Sequence, residues 1–172
     1  MFARKSVKLL TVNRTLIAYV TKGGATKEFA LEIANVLRDK YGLDLDVIDL
    51  KKTKSPDLSK YRNIVVGTGV RMFRVYKEAV KFIEKNNFEG KRVALFLASG
   101  KAGQPKTYHE AIEDYINKQL LKKNPQLKPV AAEAFGGRAR FLGKDMAPPG
   151  YADQVITKVR AWAEDLGKKL VG

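Results

Sequence analysis

Five short apolar runs alternate along the chain with longer amphipathic segments, and this alternation restricts the possible folds more than any other feature. The runs are TLIAYV (15–20), LDVIDL (45–50), NIVVGT (63–68), VALFLAS (93–99) and PVAAEAFG (129–136). Their apolar residues are mostly consecutive, as in strands that are covered on both faces. Most segments between these runs have apolar residues at helical spacing and predict helices. The exception is KKTKSPDLSKY (51–61), which predicts only a turn. The pattern predicts one α/β domain with a parallel sheet between layers of helices.

The composition limits the chemistry that the chain can perform alone. It has no cysteine, which excludes disulfides, cysteine-bound metal clusters and thiol catalysis. Its single histidine, His109, does not suffice for a multi-histidine metal site. A bound cofactor is therefore expected to supply any difficult chemistry, and no side chain is expected to act as a catalytic group itself.

The formal net charge of +15 is the most unusual property of the 172-residue chain. It favours a negatively charged partner such as nucleic acid, anionic lipid or an acidic protein, with a generally basic surface as the alternative. The basic residues are spread along the chain without an aromatic–basic module of the RNA-binding type. Nucleic acid is therefore the least favoured of these partners.

The apolar runs are too short to cross a bilayer, and the first residues do not form a secretion signal. MFARKSVKLLTVNR is basic but has no signal-peptide apolar region or cleavage site. We interpret residues 1–14 as an N-terminal extension and residues 15–172 as the domain. The cytoplasm is the expected location, and peripheral contact with the inner face of the membrane is an open alternative.

In open α/β sheets, ligands bind beyond the carboxyl ends of the strands, so the segments after the first, third and fourth runs form the candidate site. TKGGAT (21–26) combines glycines, hydroxyls and a helix N-terminus that can hold a phosphate; a plain turn with Thr26 as the helix N-cap is the alternative. It lacks the Gly-Lys-Ser/Thr ending of a triphosphate loop and the third glycine of a dinucleotide loop, so a phosphate monoester fits best. GTGVRMF (67–73) and SGKAGQPK (99–106) are also glycine-rich and suit the faces of a flat ring.

Three stretches in this order resemble the flavodoxin domain: YVTKGGATKEFALEIA, VVGTGVRMFRVYKEAVKFI and KRVALFLASG. The similarity is strongest to the branch that includes menaquinone-dependent protoporphyrinogen dehydrogenase, and it extends to FGGR and to the last helix, YADQVITKVRAWAEDL. It covers nearly the whole chain from about residue 15. The resemblance implies a flavodoxin-like fold with five parallel strands in the order 2-1-3-4-5 and one noncovalently bound FMN.

The same resemblance implies which residues contact the FMN. The phosphate loop would comprise Thr21, Lys22, Gly23, Gly24, Ala25 and Thr26. Two ring-contacting loops would comprise Thr68, Gly69, Val70, Arg71, Met72 and Phe73 in the first and Ser99, Gly100, Lys101, Ala102 and Gly103 in the second. The chain departs from the family at Gly23, where many flavodoxins have Thr or Ser, and in its strong positive charge.

We expect an FMN-binding electron-transfer protein that serves redox protein partners, acidic ones among them. The alternative is an FMN-dependent dehydrogenase of the protoporphyrinogen or quinone class, in which the positive charge would attract porphyrin carboxylates or an anionic membrane. The short segment RARFLGKDMAPPG (138–150) favours the carrier, because the enzyme branch has a longer insertion there. A third reading is a nucleic-acid-associated or adaptor protein that kept the fold and lost the cofactor.

Overall fold

The computed structural model describes residues 14–137, 140–141, 144–145 and 147–172. The strands are β1 (Thr15–Val20), β2 (Leu45–Asp49), β3 (Asn63–Arg71), β4 (Arg74–Val75), β5 (Arg92–Ser99), β6 (Ala131–Gly136), β7 (Arg140–Phe141) and β8 (Lys144–Asp145). The helices are α1 (Ala25–Tyr41), α2 (Lys77–Lys85), α3 (Tyr108–Ala111), which continues in π-helical turns over Ile112–Leu121, and α4 (Tyr151–Val171). The predicted extension over residues 1–14 lies outside the described residues except for Arg14.

Five parallel strands form the central sheet in the order β2-β1-β3-β5-β6, and β4 pairs antiparallel with the end of β3. Counted among the parallel strands alone, this is the order 2-1-3-4-5, which confirms the predicted fold class. Every residue of β1 is buried, as its unbroken apolar sequence requires. Residues 50–62 connect β2 to β3 through turns, as predicted.

The sheet separates two apolar cores. On one face α1 and α4 pack against each other and against the sheet, burying residues such as Ile33 and Val159. On the other face α2 and the π-helical segment bury residues such as Ile83 and Ile116. None of the described helices is long and apolar enough to cross a membrane.

The register of the parallel strands decides which segments meet. Val20 at the end of β1 lies opposite Thr68, and Gly69 lies opposite Ala98 near the end of β5. The segments that follow β1, β3 and β5 therefore emerge side by side at the carboxyl edge of the sheet.

Candidate functional site

Residues 21–24 turn the chain from β1 into α1 around one left-handed glycine. Gly24 has a φ of 97° and directly precedes the helix, and its N–H donates to Thr21 Oγ1 over 2.9 Å. Other residues would be strained at this φ, so the backbone requires glycine here. Lys51 donates from its ammonium to the Thr21 carbonyl and ties the turn to the segment after β2. Gly24 holds the N-cap position, so the prediction of Thr26 as the N-cap is wrong.

The first turn of α1 brings backbone donors and a threonine to the space beyond β1. The first N–H groups of a helix have no acceptor within the helix and carry the positive end of its dipole. Thr26 lies in this turn and is 1% exposed. A side chain at Gly23 would meet open space, since no atom lies within 4 Å of the position of its β-carbon. This arrangement suits a small anion and has room for one further hydroxyl.

Residues 67–75 form a β-hairpin rather than the irregular loop expected from the sequence. β3 continues to Arg71, Met72 and Phe73 make a two-residue turn, and β4 returns along β3. Both turn residues have positive φ, 50° for Met72 and 63° for Phe73, which matches the twist of a two-residue hairpin. Glycine or asparagine normally takes such positions, and other residues cost roughly 1–2 kcal/mol each there.

One glutamine fastens the hairpin to the π-helical segment. Gln119 Oε1 accepts from the Val75 N–H and Gln119 Nε2 donates to the Phe73 carbonyl, each over 2.9 Å. The tip nevertheless stays open to solvent, with Met72 85% exposed and Phe73 71% exposed. The strained turn is thus fixed in place while it presents two large apolar side chains.

The third segment is a single 3₁₀ turn over Lys101–Gly103, directly after β5. Ser99 organises its start, because Ser99 Oγ accepts from the Ala102 N–H over 3.2 Å. The Ser99 carbonyl accepts from the Gly137 N–H over 2.9 Å, which brings the end of β6 to the same place.

The Lys101 ammonium is held by two carboxylates of the neighbouring helical segment. It lies 3.1 Å from Asp114 and 3.5 Å from Glu110. The hydrogen bond to Asp114 raises the pKa of Lys101, and the same bond lowers the pKa of the Asp114 carboxyl. Because its charge is balanced locally, Lys101 contributes less positive potential at the sheet edge than its sequence position suggests.

The three segments border one open depression of about 210 Å³ at the carboxyl edge of the sheet. The predicted site residues that line it are Thr21, Gly23, Ala25, Thr26, Gly69, Val70, Ser99 and Gly100. The predicted residues outside its lining are Lys22, Gly24, Thr68, Arg71, Met72, Phe73, Lys101, Ala102 and Gly103. The structure therefore brings together members of all three predicted loops, and the ligand contacts of the full set remain predictions.

Tyr76, Ala98 and Gly137 also line this depression, although their sequence positions did not indicate it. The Tyr76 ring packs against Gly69, where a β-carbon would come within 2.7 Å of it, and Lys22 Nζ lies 4.7 Å from the ring centre. Burial raises the pKa of the Tyr76 hydroxyl. In the sequence, Tyr76 has the spacing of the apolar residues of α2 and therefore looks like a core residue rather than a site residue. Its place immediately before the helix was the one sequence feature that could have indicated the site.

A larger cavity of about 740 Å³ lies at the opposite edge of the sheet, between residues 84–91 and 124–128. Amide and charged side chains border it, among them Asn124, whose Nδ2 is buried without a hydrogen-bond partner among the described residues. The amino ends of the strands meet at this edge, whereas ligands of open α/β sheets bind at the carboxyl ends. The smaller depression is therefore the candidate site.

The chain is similar in sequence and in fold to known proteins. The chain is 24% identical over 130 residues to the protoporphyrinogen IX dehydrogenase [quinone] of Escherichia coli, covering 74% of this chain and 70% of the relative. Flavodoxin 2 of Bacillus cereus has a TM-score of 0.62 at 20% identity, covering 91% of this chain and 99% of that one. A Fusobacterium nucleatum flavodoxin mutant bound to flavin mononucleotide has a TM-score of 0.58 at 16% identity, covering 91% and 96%. The family model described as a flavodoxin domain matches residues 16–142, and the chain therefore belongs to the flavodoxin-domain family.

Proposed function

We propose that the protein binds one FMN at the carboxyl edge of its sheet and transfers electrons between redox partners. The observation that carries this function is the convergence of the turn from β1 to α1 and two glycine-containing strand ends on one depression. Membership of the flavodoxin-domain family supports it, as does the similar flavodoxin whose structure contains flavin mononucleotide. FMN, when bound, would supply electron-accepting chemistry that the side chains of a chain without cysteine do not provide.

The turn between β1 and α1 fits the FMN phosphate without a metal ion. N–H groups of the first helical turn and the hydroxyls of Thr21 and Thr26 provide donors, and the helix dipole favours negative charge. Thr21 Oγ1 already accepts from the Gly24 N–H, which leaves the Thr21 proton to donate to a phosphate oxygen. Among the described residues, no group of His, Asp and Glu could hold a metal ion.

The hairpin and the turn after Ser99 would flank the flavin ring. Gly69 and Gly100 carry no side chain, so a ring edge can approach the backbone there. Val70 and Tyr76 add apolar surface beside Gly69. Such surroundings disfavour charge on the reduced ring and so lower its reduction potential.

The positive charge is the basis for the proposed partners. A formal net charge of +15 would draw acidic redox proteins towards the chain and speed their encounter with it. Anionic headgroups at the inner face of the membrane are a second target for the same charge, in a protein that we expect in the cytoplasm.

A second candidate function is oxidation of protoporphyrinogen with a quinone as electron acceptor. The observation in its favour is the 24% identity over 130 residues to the Escherichia coli protein of that name. The exposed side chains of Lys22, Arg71 and Arg74 would attract the carboxylates of a porphyrin. His109 is exposed and lies outside the lining of the depression, and we assign it no role in proton exchange with the substrate.

Absorbance spectroscopy of the purified protein tests both candidates. We expect a yellow protein that releases FMN, rather than FAD or riboflavin, on denaturation. Electron transfer to a redox protein without protoporphyrinogen turnover would select the carrier, and protoporphyrinogen oxidation coupled to quinone reduction would select the enzyme. A colourless protein that FMN does not reconstitute would contradict both.

A further inference from the structure

We propose that two copies of this chain dock through the outer side of α4 and form a symmetric dimer. A groove of about 420 Å³ runs along β6, between α4 and the start of α3. β6 is the last strand of the sheet, and no described strand pairs with its outer edge. The groove is lined from α4 by Gln154, Lys158, Ala161, Trp162 and Asp165, among others.

The two flanks of α4 differ in how their charges are paired. On the flank towards α1, Arg160 Nε lies 3.0 Å from a carboxylate oxygen of Glu32, and a second ion pair joins the same two helices. On the flank towards the groove, Lys158 and Asp165 are exposed, and neither forms an ion pair with another described residue. The fold itself therefore uses the charges of one flank and leaves those of the other flank available.

The spacing of Lys158 and Asp165 suits a second copy of the same helix. The two residues are seven positions apart, so they lie on one face of α4, about 10 Å from each other along its axis. Ala161 and Trp162 lie midway between them. Two copies of α4 that cross antiparallel at this midpoint place each Lys158 opposite the Asp165 of the other copy. A two-fold axis at the midpoint thus forms both ion pairs at once.

The middle of this face allows close approach and offers apolar surface. Ala161 is small and exposed, so two helix backbones can come near each other there. The Trp162 ring is half-buried and is held edge-on against Phe135 of β6, with 5.9 Å between the ring centres. A side chain that is already ordered loses little conformational freedom on binding. An apolar centre between charged groups is the usual arrangement of a protein interface.

The strand edge in the groove is protected against an added strand. Glu133 lines the groove, and its Oε1 accepts from the Ala134 N–H over 2.9 Å and from the Tyr108 hydroxyl. A carboxylate bonded to the backbone at a sheet edge hinders pairing with another strand. The groove is therefore better suited to helix packing than to an extended peptide.

The charge of the groove favours a second copy over an acidic partner. The whole chain has 33 Lys and Arg residues against 18 Asp and Glu residues, whereas the charged residues that line the groove are Glu133, Lys158 and Asp165. Two molecules with a formal net charge of +15 repel each other over most of their surface. Here carboxylates outnumber basic groups, so two copies can approach with less repulsion and an acidic partner gains no attraction.

The proposed contact lies away from the depression that the flavin would occupy. α4 begins at the carboxyl edge of the sheet, where the Tyr151 hydroxyl donates to the Gly137 carbonyl over 3.4 Å. Near its end Lys169 donates to the carbonyl of the residue before β6. Lys158 and Asp165 lie about 10 and 21 Å from Tyr151 along the helix. The inference therefore does not depend on the proposed function.

Sedimentation equilibrium of the full-length protein tests the dimer. At about 0.15 M salt, repulsion between distant charges is largely screened, and we expect a monomer–dimer equilibrium. Lys158→Glu and Asp165→Lys each turn both ion pairs into like-charge contacts, which should weaken dimerisation at least about tenfold. Lys81→Glu and Asp39→Lys are the matched controls. They make the same changes of charge at exposed positions of α2 and α1 and should leave the equilibrium unchanged.

An equimolar mixture of the two charge variants is the decisive sample. In a dimer of Lys158→Glu with Asp165→Lys, each of the two contacts again joins an acidic and a basic side chain. We expect the mixture to dimerise within about threefold of the unmodified protein, although each variant alone does not. A chain that carries both replacements should dimerise as well. Misfolding of a variant could not produce this recovery.

Three results would overturn the inference. The first is an unmodified protein that stays monomeric up to about 1 mM. The second is a dimer that both charge variants leave unchanged, which would place the contact on another surface. The third is a mixture that stays monomeric, which would contradict the antiparallel arrangement of the helices. A colourless protein that dimerises through this face would contradict the proposed function and still support the inference.

Discussion

The two turns beside the depression accommodate positive φ in opposite ways. In the turn from β1 to α1, a glycine takes the left-handed position, with a φ of 97° at Gly24. In the hairpin, Met72 and Phe73 take φ values of 50° and 63° although neither residue suits them. The first turn follows the backbone preference and directs its polar groups inwards, whereas the second accepts strain and exposes apolar side chains.

This difference separates two kinds of requirement. A left-handed glycine satisfies the backbone, and the binding capacity of that turn then comes from N–H groups and hydroxyls. A Met-Phe pair at positive φ strains the backbone more than Asn-Gly would. Any benefit of this pair to the protein must therefore come from its side chains. We therefore infer binding through the backbone at the first turn and through side chains at the second.

Among the amino-acid replacements that we propose, the one that relieves the backbone strain in the hairpin should cause the largest change in free energy. Met72→Asn with Phe73→Gly should raise the free energy of unfolding by about 2 kcal/mol, because both positions then carry residues that tolerate positive φ. Urea denaturation measures the change, and Leu31→Asn, at an exposed helical site, serves as the control. A less stable double variant would mean that the exposed pair packs in a way that stabilises the fold.

The adjacent glycines of the first turn should respond differently to alanine. Gly24→Ala should lower the free energy of unfolding by roughly 1–2 kcal/mol, because alanine is strained at the φ of 97°. Gly23→Ala should change it by less than about 0.5 kcal/mol, since its β-carbon meets open space. The same denaturation measurement applies, and equal losses at the two positions would contradict the assigned backbone roles.

Removing one hydroxyl from the first turn should weaken FMN binding without unfolding the protein. Thr26→Val nearly keeps the volume of the side chain and removes a donor to the charged phosphate, which should cost about 1.5 kcal/mol, or roughly tenfold in affinity. Fluorescence titration with FMN measures it. Thr157→Val, on the solvent side of α4, is the matched control. Unchanged affinity in Thr26→Val would count against the phosphate assignment.

The smallest effect is expected from adding a hydroxyl. Gly23→Ser places a donor in open space beside the phosphate position, at the point where many flavodoxins have Thr or Ser. We expect roughly threefold tighter FMN binding, at the lower end of what one hydrogen bond contributes. Weaker binding in the same titration would show that the phosphate lies too close to Gly23 for a side chain.

The sequence predicts the first turn far better than the hairpin. β1 spans the predicted residues 15–20, because strands covered on both faces have unbroken apolar sequence. Glycines at a strand-to-helix junction indicate a turn by themselves, so the turn from β1 to α1 could be predicted as well. Met72 and Phe73 carry no turn signal at all, and the predicted loop is therefore a hairpin that only the structure reveals.

Tyr76 shows a second limit of sequence reasoning. Its contacts with Gly69 and Lys22 depend on how β3, β4 and the first turn meet, which no local pattern encodes. The strand order, by contrast, followed from the family resemblance and agrees with the structure. Only the structure could therefore show which residues border the site next to the hairpin.

Titration of the flavin-free protein with FMN and with riboflavin tests the central claim most directly. The two ligands share the ring and differ in the phosphate, so their affinity ratio isolates the turn from β1 to α1. Hydrogen bonds to charged groups contribute about 1.5–3 kcal/mol each, and we therefore predict at least about 100-fold tighter binding of FMN. Equal affinity for the two ligands, or binding of neither, would contradict the account.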